Sequence, residues 1–168
     1  MKLIINASVL IAFYTELQKP ELLKCLINYG YELLIPEEVM RELEKDANYD
    51  KISKDCSEGL FKRLDPVPEK ELEMLKSRFI GLHEGGLGVI WWGIKFRDER
   101  VSNVKCVLDD NKARKRARKL GLTITGTLGI LNILESLGIL SKKEKKELCR
   151  ELQEKNFRLP PSFIKNDP

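Results

Sequence analysis

The chain has 168 residues, 42% of them hydrophobic and 33% charged, a balance that excludes a disordered or fibrous protein and suits one domain. Lys and Arg number 30 against 26 Asp and Glu, so the net charge of +4 implies no nucleic-acid partner unless the cations cluster. Four scattered cysteines with no Cys-x-x-Cys pair, and one histidine, give no support to a zinc finger or a Ser-His-Asp triad.

No apolar run reaches the roughly 18 residues of a membrane span. Met1 to Ile5 has the outline of a signal peptide, but Asn6 and Ser8 interrupt it and no small-residue cleavage site follows. A buried first strand in a cytoplasmic protein is the expectation, with no membrane partner. Glutamine is confined to Gln18 and Gln153 while Lys and Glu abound, a bias shared with proteins of heat-loving organisms.

Leu3-Ile4-Ile5 reads as a short buried strand, followed by a helix over Ser8 to Leu17. Pro20 opens a second helix that runs to Gly30, and Tyr31 to Ile35 is the next strand. Pro36 starts a helix that turns Val39, Met40 and Leu43 inward. From Asp46 to Pro68 the pattern weakens to short helices or loop. Glu69 to Phe79 and Glu84 to Phe96 read as helices. Val104 to Leu108 is a strand ending in Asp109-Asp110, and a basic helix follows to Leu120, closed by Gly121. Leu122 to Ile124 forms a last strand. Thr127 caps a helix to Gly138, and Ser141 with Glu144 makes a capping box for the final one.

Strands separated by helices predict a three-layer α/β/α fold around a mainly parallel sheet, one domain over 1–168 with the segment from about 141 packed on it. Chemistry in such sheets gathers at the carboxyl ends of the strands, where both Asn6 and Asp109-Asp110 fall.

Three stretches carry a family likeness: Leu3 to Ala12, Ile35 to Glu42, and Leu108 to Arg114, the last continuing into Gly126-Thr127-Leu128-Gly129. The chain resembles a PIN domain, the metal-dependent nuclease fold of many toxin ribonucleases, and within it a subgroup with an Asp-Asp-x-x-Ala-Arg motif. The tail from Leu152 to Phe163 shares the likeness. The resemblance implies Mg²⁺ or Mn²⁺ held by a ring of acids that activates water against RNA. The family's first acid falls on Asn6, its helix acid on Glu42, and its third on Gly86, with Gly88 replacing a neighbour. The late acids fall on Asp109 and Asp110, of which Asp110 is the expected metal-facing one. Two carboxylates are therefore replaced. Glu84, two residues from Gly86, is the candidate substitute ligand.

By that resemblance Glu42, Asp109, Asp110 and Asn6 are the catalytic set, with Glu42, Asp110, Asp109 and Glu84 as metal ligands and Ser8 and Thr127 in support. The resemblance further implies a homodimer and, for a toxin, a protein antitoxin covering the crevice. The rival expectation is an inactive relative that binds RNA or a protein partner. Lys112, Arg114, Lys115, Arg116, Arg118 and Lys119 form the one basic cluster, and Arg114, Lys112 and Lys115 are the candidate phosphate contacts. Taken without the family, Asp109-Asp110 could be only a helix cap, Glu42 a solvated helix residue among Glu37, Glu38 and Glu44, and the basic cluster a solvated face. Gly85 to Gly88 lacks the preceding strand and following Lys-Ser or Lys-Thr of a phosphate loop. One of Trp91 and Trp92 is expected in the core and the other half-exposed. His83 reads as polar surface, and Cys25, Cys106 and Cys149 as buried small hydrophobes.

Overall fold

A computed structural model of the chain describes residues 1–157, so the tail motif from Arg158 onward lies outside the described residues. Strands β1 (Lys2–Ile5), β2 (Glu32–Pro36), β3 (Lys62–Leu64), β4 (Val104–Val107) and β5 (Ile124–Thr125) form one sheet in the order β3-β2-β1-β4-β5. Every pairing is parallel. Parallel strands buried on both faces need unbroken apolar runs, which Leu3-Ile4-Ile5 and Leu33-Leu34-Ile35 supply. Ile4 lies in register with Leu34 on one side and Cys106 on the other. The expected α/β architecture is present, with β3 an addition. Its sequence, Lys62-Arg63-Leu64, has one buried residue and no apolar run to announce it.

Helices flank the sheet. The first, α1 (Ala7–Ile11), passes into a π-helical stretch at Ala12–Glu16, and α2 (Pro20–Asn28) starts at its proline. Next come α3 (Glu37–Leu43), α4 (Tyr49–Ser57), α5 (Glu69–Arg78) and α6 (Glu84–Asp98). The chain closes with α7 (Asn111–Lys119), α8 (Thr127–Ser136) and α9 (Lys142–Glu154). The expected capping box opens α9: Ser141 N donates to Glu144 Oε2 at 2.7 Å, and Glu144 N to Ser141 Oγ at 3.2 Å.

Trp92 is buried and Trp91 half-buried, and the Lys95 ammonium lies over both rings, 4.7 and 5.0 Å from their centroids. Cys106 and Cys149 are buried as expected, whereas Cys25 is half-exposed. Burial pushes the Cys106 thiol up to about 12.

The strand order positions the site. From β1 the chain moves outward through β2 to β3, then returns to the other side of β1 as β4. The crevice between the carboxyl ends of β1 and β4 is thus a topological switch point, the usual place for a ligand in an open parallel sheet. The N-terminus of α6 lies over that crevice, packed on α3.

Candidate functional site

Asn6 follows β1 directly, its backbone N–H donating to Val107 O of β4 at 3.2 Å. Its side-chain oxygen is sealed from solvent and has no hydrogen-bond partner among the described residues. An orphaned buried acceptor is uncommon enough to mark a place where a partner is expected.

Glu42 approaches Asn6 from α3. Its Oε1 accepts the Gly85 N–H at 2.9 Å, at the start of α6. A Cβ on residue 85 would lie 2.5 Å from Glu42 Oε2 and 3.2 Å from Asn6 Oδ1, so both oxygens border the same point. One turn back on α3, Glu38 packs on Gly88 of α6, its Oε2 buried and, like Asn6 Oδ1, without a hydrogen-bond partner among the described residues. It is 1% exposed, its Oε1 accepts the Val67 N–H at 2.7 Å, and its Oε2 stands 2.7 Å from where a Gly88 Cβ would be. Glutamates four apart on α3 therefore seat on glycines three apart on α6. The burial of Glu38 depends on that absence of side chains. Only the matched spacing of the two pairs could have signalled it.

The tandem aspartates divide their work. Asp109 is part-buried: its Oδ1 accepts Thr127 N–H at 2.8 Å, and its Oδ2 accepts the hydroxyls of Thr127 at 2.7 Å and Ser8 at 3.1 Å. Burial pushes its carboxyl above the usual range, against the lowering pull of those donors and of the Arg114 charge. Asp109, just past β4, thus ties the starts of α1 and α8 to the end of that strand. Thr127 does not cap α8 as expected; it donates to Asp109 instead, and Ser8 does the same. Asp110 is exposed and caps α7, its Oδ1 accepting Ala113 N–H at 2.8 Å.

A cavity of about 590 Å³ opens at this point, bordered by Asn6, Ser8, Glu42 and Asp110, with Gly86, His83 and Lys112 also in its wall. Of the sequence-derived residues, it unites Asn6, Ser8, Glu42, Asp110 and Lys112. Glu84 is not in the wall. Its Oε1 pairs with Lys76 Nζ at 2.5 Å, its side chain is 43% exposed, and it does not replace the missing acid. The reason is helical geometry, since two residues along a regular α6 turn the side chain away. Arg114 also differs from expectation. Its Nη1 donates to the carbonyls of Leu108 at 2.7 Å and Thr125 at 2.9 Å, so it braces the sheet rather than pointing at a phosphate. Lys115 belongs to a second cavity of about 480 Å³, together with Arg116, Arg118 and Lys119. Leu82 and Lys112 border both cavities.

Among the described residues no three His, Cys, Asp or Glu side chains gather as a metal cluster. The orphaned Asn6 oxygen beside Glu42, with Asp110 across the cavity, is an oxygen-only donor set suited to one hard cation with water completing its shell. It does not suit two ions. A family model described as a PIN domain matches residues 2–166, whereas no curated protein and no solved structure shows a significant match. PIN domains belong to nuclease and toxin–antitoxin families and generally depend on divalent metal. With the parallel sheet, its switch-point crevice and a match over nearly the whole length, the chain belongs to the PIN-domain family.

Proposed function

We propose that the chain is a PIN-type ribonuclease working with a reduced acid set and one Mg²⁺ or Mn²⁺ ion. The observation that supports it is the meeting of Glu42, Asp110 and the orphaned Asn6 oxygen at one cavity on the switch-point crevice. Glu42 and Asp110 would hold the ion, and Asn6 would assist. Such an ion supplies Lewis-acid polarisation of a phosphate and a more acidic bound water.

The remaining groups have separate tasks. The Gly85 N–H orients Glu42, leaving Oε2 against Gly85 on the side of Asn6 Oδ1. Asp109 positions the strand ends through Thr127 and Ser8 rather than ligating. Lys112, at the junction of the two cavities, would meet a substrate phosphate, and Lys115 would meet the next along the strand. A protein antitoxin over the cavity and a homodimeric assembly belong to this reading and rest on family membership alone.

The test is hydrolysis of single-stranded RNA with Mn²⁺, comparing the protein with Glu42→Gln. Metal-dependent cleavage that the substitution abolishes supports the proposal; equal cleavage by both would overturn it. A second reading, RNA binding without hydrolysis, draws on Gly86, which has no ligating side chain, and on the outward turn of Glu84. RNA binding with no cleavage in Mn²⁺ would favour it.

A further inference from the structure

Helix α6 carries four glycines, and three of them have a steric reason. A Cβ would lie 2.5 Å from Glu42 Oε2 at Gly85, 2.7 Å from Glu38 Oε2 at Gly88, and 2.5 Å from Cys106 Sγ at Gly93. Gly86 has none. The nearest atom to its missing Cβ is Ala113 Cβ, 4.0 Å away, and the residue faces the cavity that holds Glu42 and Asp110. Glycine within a helix is destabilising relative to alanine, so an unforced one beside the candidate site calls for a cause outside the packing.

We infer that the space over Gly86 is a subsite for one nucleoside of a single-stranded RNA, whose phosphates pass over Lys112 onto α7. This rests on the RNA reading above and adds where and how the strand sits. A volume of about 590 Å³ suits one nucleoside. Its apolar wall, Ala7, Ile11, Leu82 and Ala113, offers contact to the face of a base, and the bare Gly86 backbone lets the ring approach closely. Its other polar groups, Ser8 and His83, are placed to meet the polar edge of the base or the ribose hydroxyls, which leaves Glu42 and Asp110 to the ion. Beyond Leu82 and Lys112 the neighbouring cavity is lined by Lys115, Arg116, Arg118 and Lys119, with Ile80, 85% exposed, on its border. No acid lines that second cavity, so its charge complements a phosphate chain leaving the first.

The test is binding of a labelled single-stranded oligoribonucleotide in EDTA, so that no metal is required, to wild type, Gly86→Ala and Gly86→Leu. The melting temperature of each variant is measured alongside. The inference expects opposite signs. Alanine raises the melting temperature by about 2–4 °C, from helix propensity at an open position. Binding meanwhile weakens stepwise, by about tenfold or more for leucine, the loss of one base contact. Wild-type binding that neither substitution alters would overturn the subsite while leaving the RNA reading intact. A wild type that binds no RNA in EDTA would overturn the subsite, while the Mn²⁺ cleavage assay above decides the RNA reading separately. Should Gly86→Leu unfold, Gly86→Ala decides alone: tighter folding with unchanged affinity overturns the subsite.

Discussion

Glu42 and Gly85 are matched to each other: the carboxylate accepts the Gly85 N–H at 2.9 Å while its other oxygen stands 2.5 Å from the place a Cβ would take. The glycine therefore both holds the acid and leaves room for it. Gly85→Ala should displace the carboxylate, because the far end of an exposed glutamate can move at little cost. The expected outcome is a folded protein whose Mn²⁺ affinity falls about 10–100-fold, the usual effect of losing a group that orients a ligand. Thermal unfolding with and without Mn²⁺ separates this from a folding defect.

Restoring the acids should have the reverse effect. Asn6→Asp with Gly86→Glu places two further carboxylates around the cavity, and residue 86 has open space for its new side chain. One added unit charge at 4 Å is worth about 4 kcal/mol at an effective dielectric of 20, so Mn²⁺ should bind at least about a hundredfold tighter. Crowded acids repel when unoccupied. The double variant should therefore melt below wild type in EDTA and above its own EDTA value once Mn²⁺ is added.

Asp109 should act on stability. Asp109→Ala removes the acceptor for Thr127 N–H and for two hydroxyls, and is expected to cost about 2 kcal/mol by denaturant unfolding. Its pH dependence has a definite sign. Burial raises the folded-state value above the unfolded one, so the folded protein binds this proton more tightly. The contribution favours folding at low pH and is lost as pH rises through the folded value. Relative to Asp109→Asn, which cannot titrate there, wild type should lose stability from acid toward neutral pH.

Arg114 and Lys112 should separate by phenotype. Arg114→Ala strips the donor from two strand-end carbonyls and should lower the melting temperature by several degrees, in proportion to about 1–2 kcal/mol. Lys112→Ala removes a solvent-facing cation and should leave stability within about 0.5 kcal/mol. RNA affinity should fall with Lys112 and become less salt-dependent. Filter binding across a salt series, beside thermal melts, checks both.

These contrasts mark where the sequence was legible. Leu3-Ile4-Ile5, Pro20, Pro36 and the Ser141–Glu144 box carry local signals, apolar runs and caps, whose meaning does not depend on distant residues. Strand ends alone bring Asn6 and Asp109-Asp110 to one crevice; the choice of Asp110 between the two aspartates rests on the family resemblance. Arg114 and Glu84 depart from expectation, and Thr127 supports Asp109 without capping α8, because the same side chain can face a ligand or a neighbour, and only tertiary packing decides. Arg114 found carbonyls, Glu84 found Lys76, and Thr127 found Asp109. Strand β3 was missed because two of its three residues are exposed and basic. Glu38 was missed because its burial is created by Gly88, fifty residues away in the chain.

The central claim is that Glu42 and Asp110 still make a cation site without the acids replaced at residues 6 and 86. Calorimetric titration with Mn²⁺ tests it most directly, comparing the protein with a Glu42→Gln, Asp110→Asn double variant. Asparagine at 110 keeps the cap on α7, so the comparison changes charge and not fold. Saturable one-to-one binding by the protein, absent in the variant, is the predicted result. Equal heats from both, or no binding by the protein up to millimolar Mn²⁺, would contradict it.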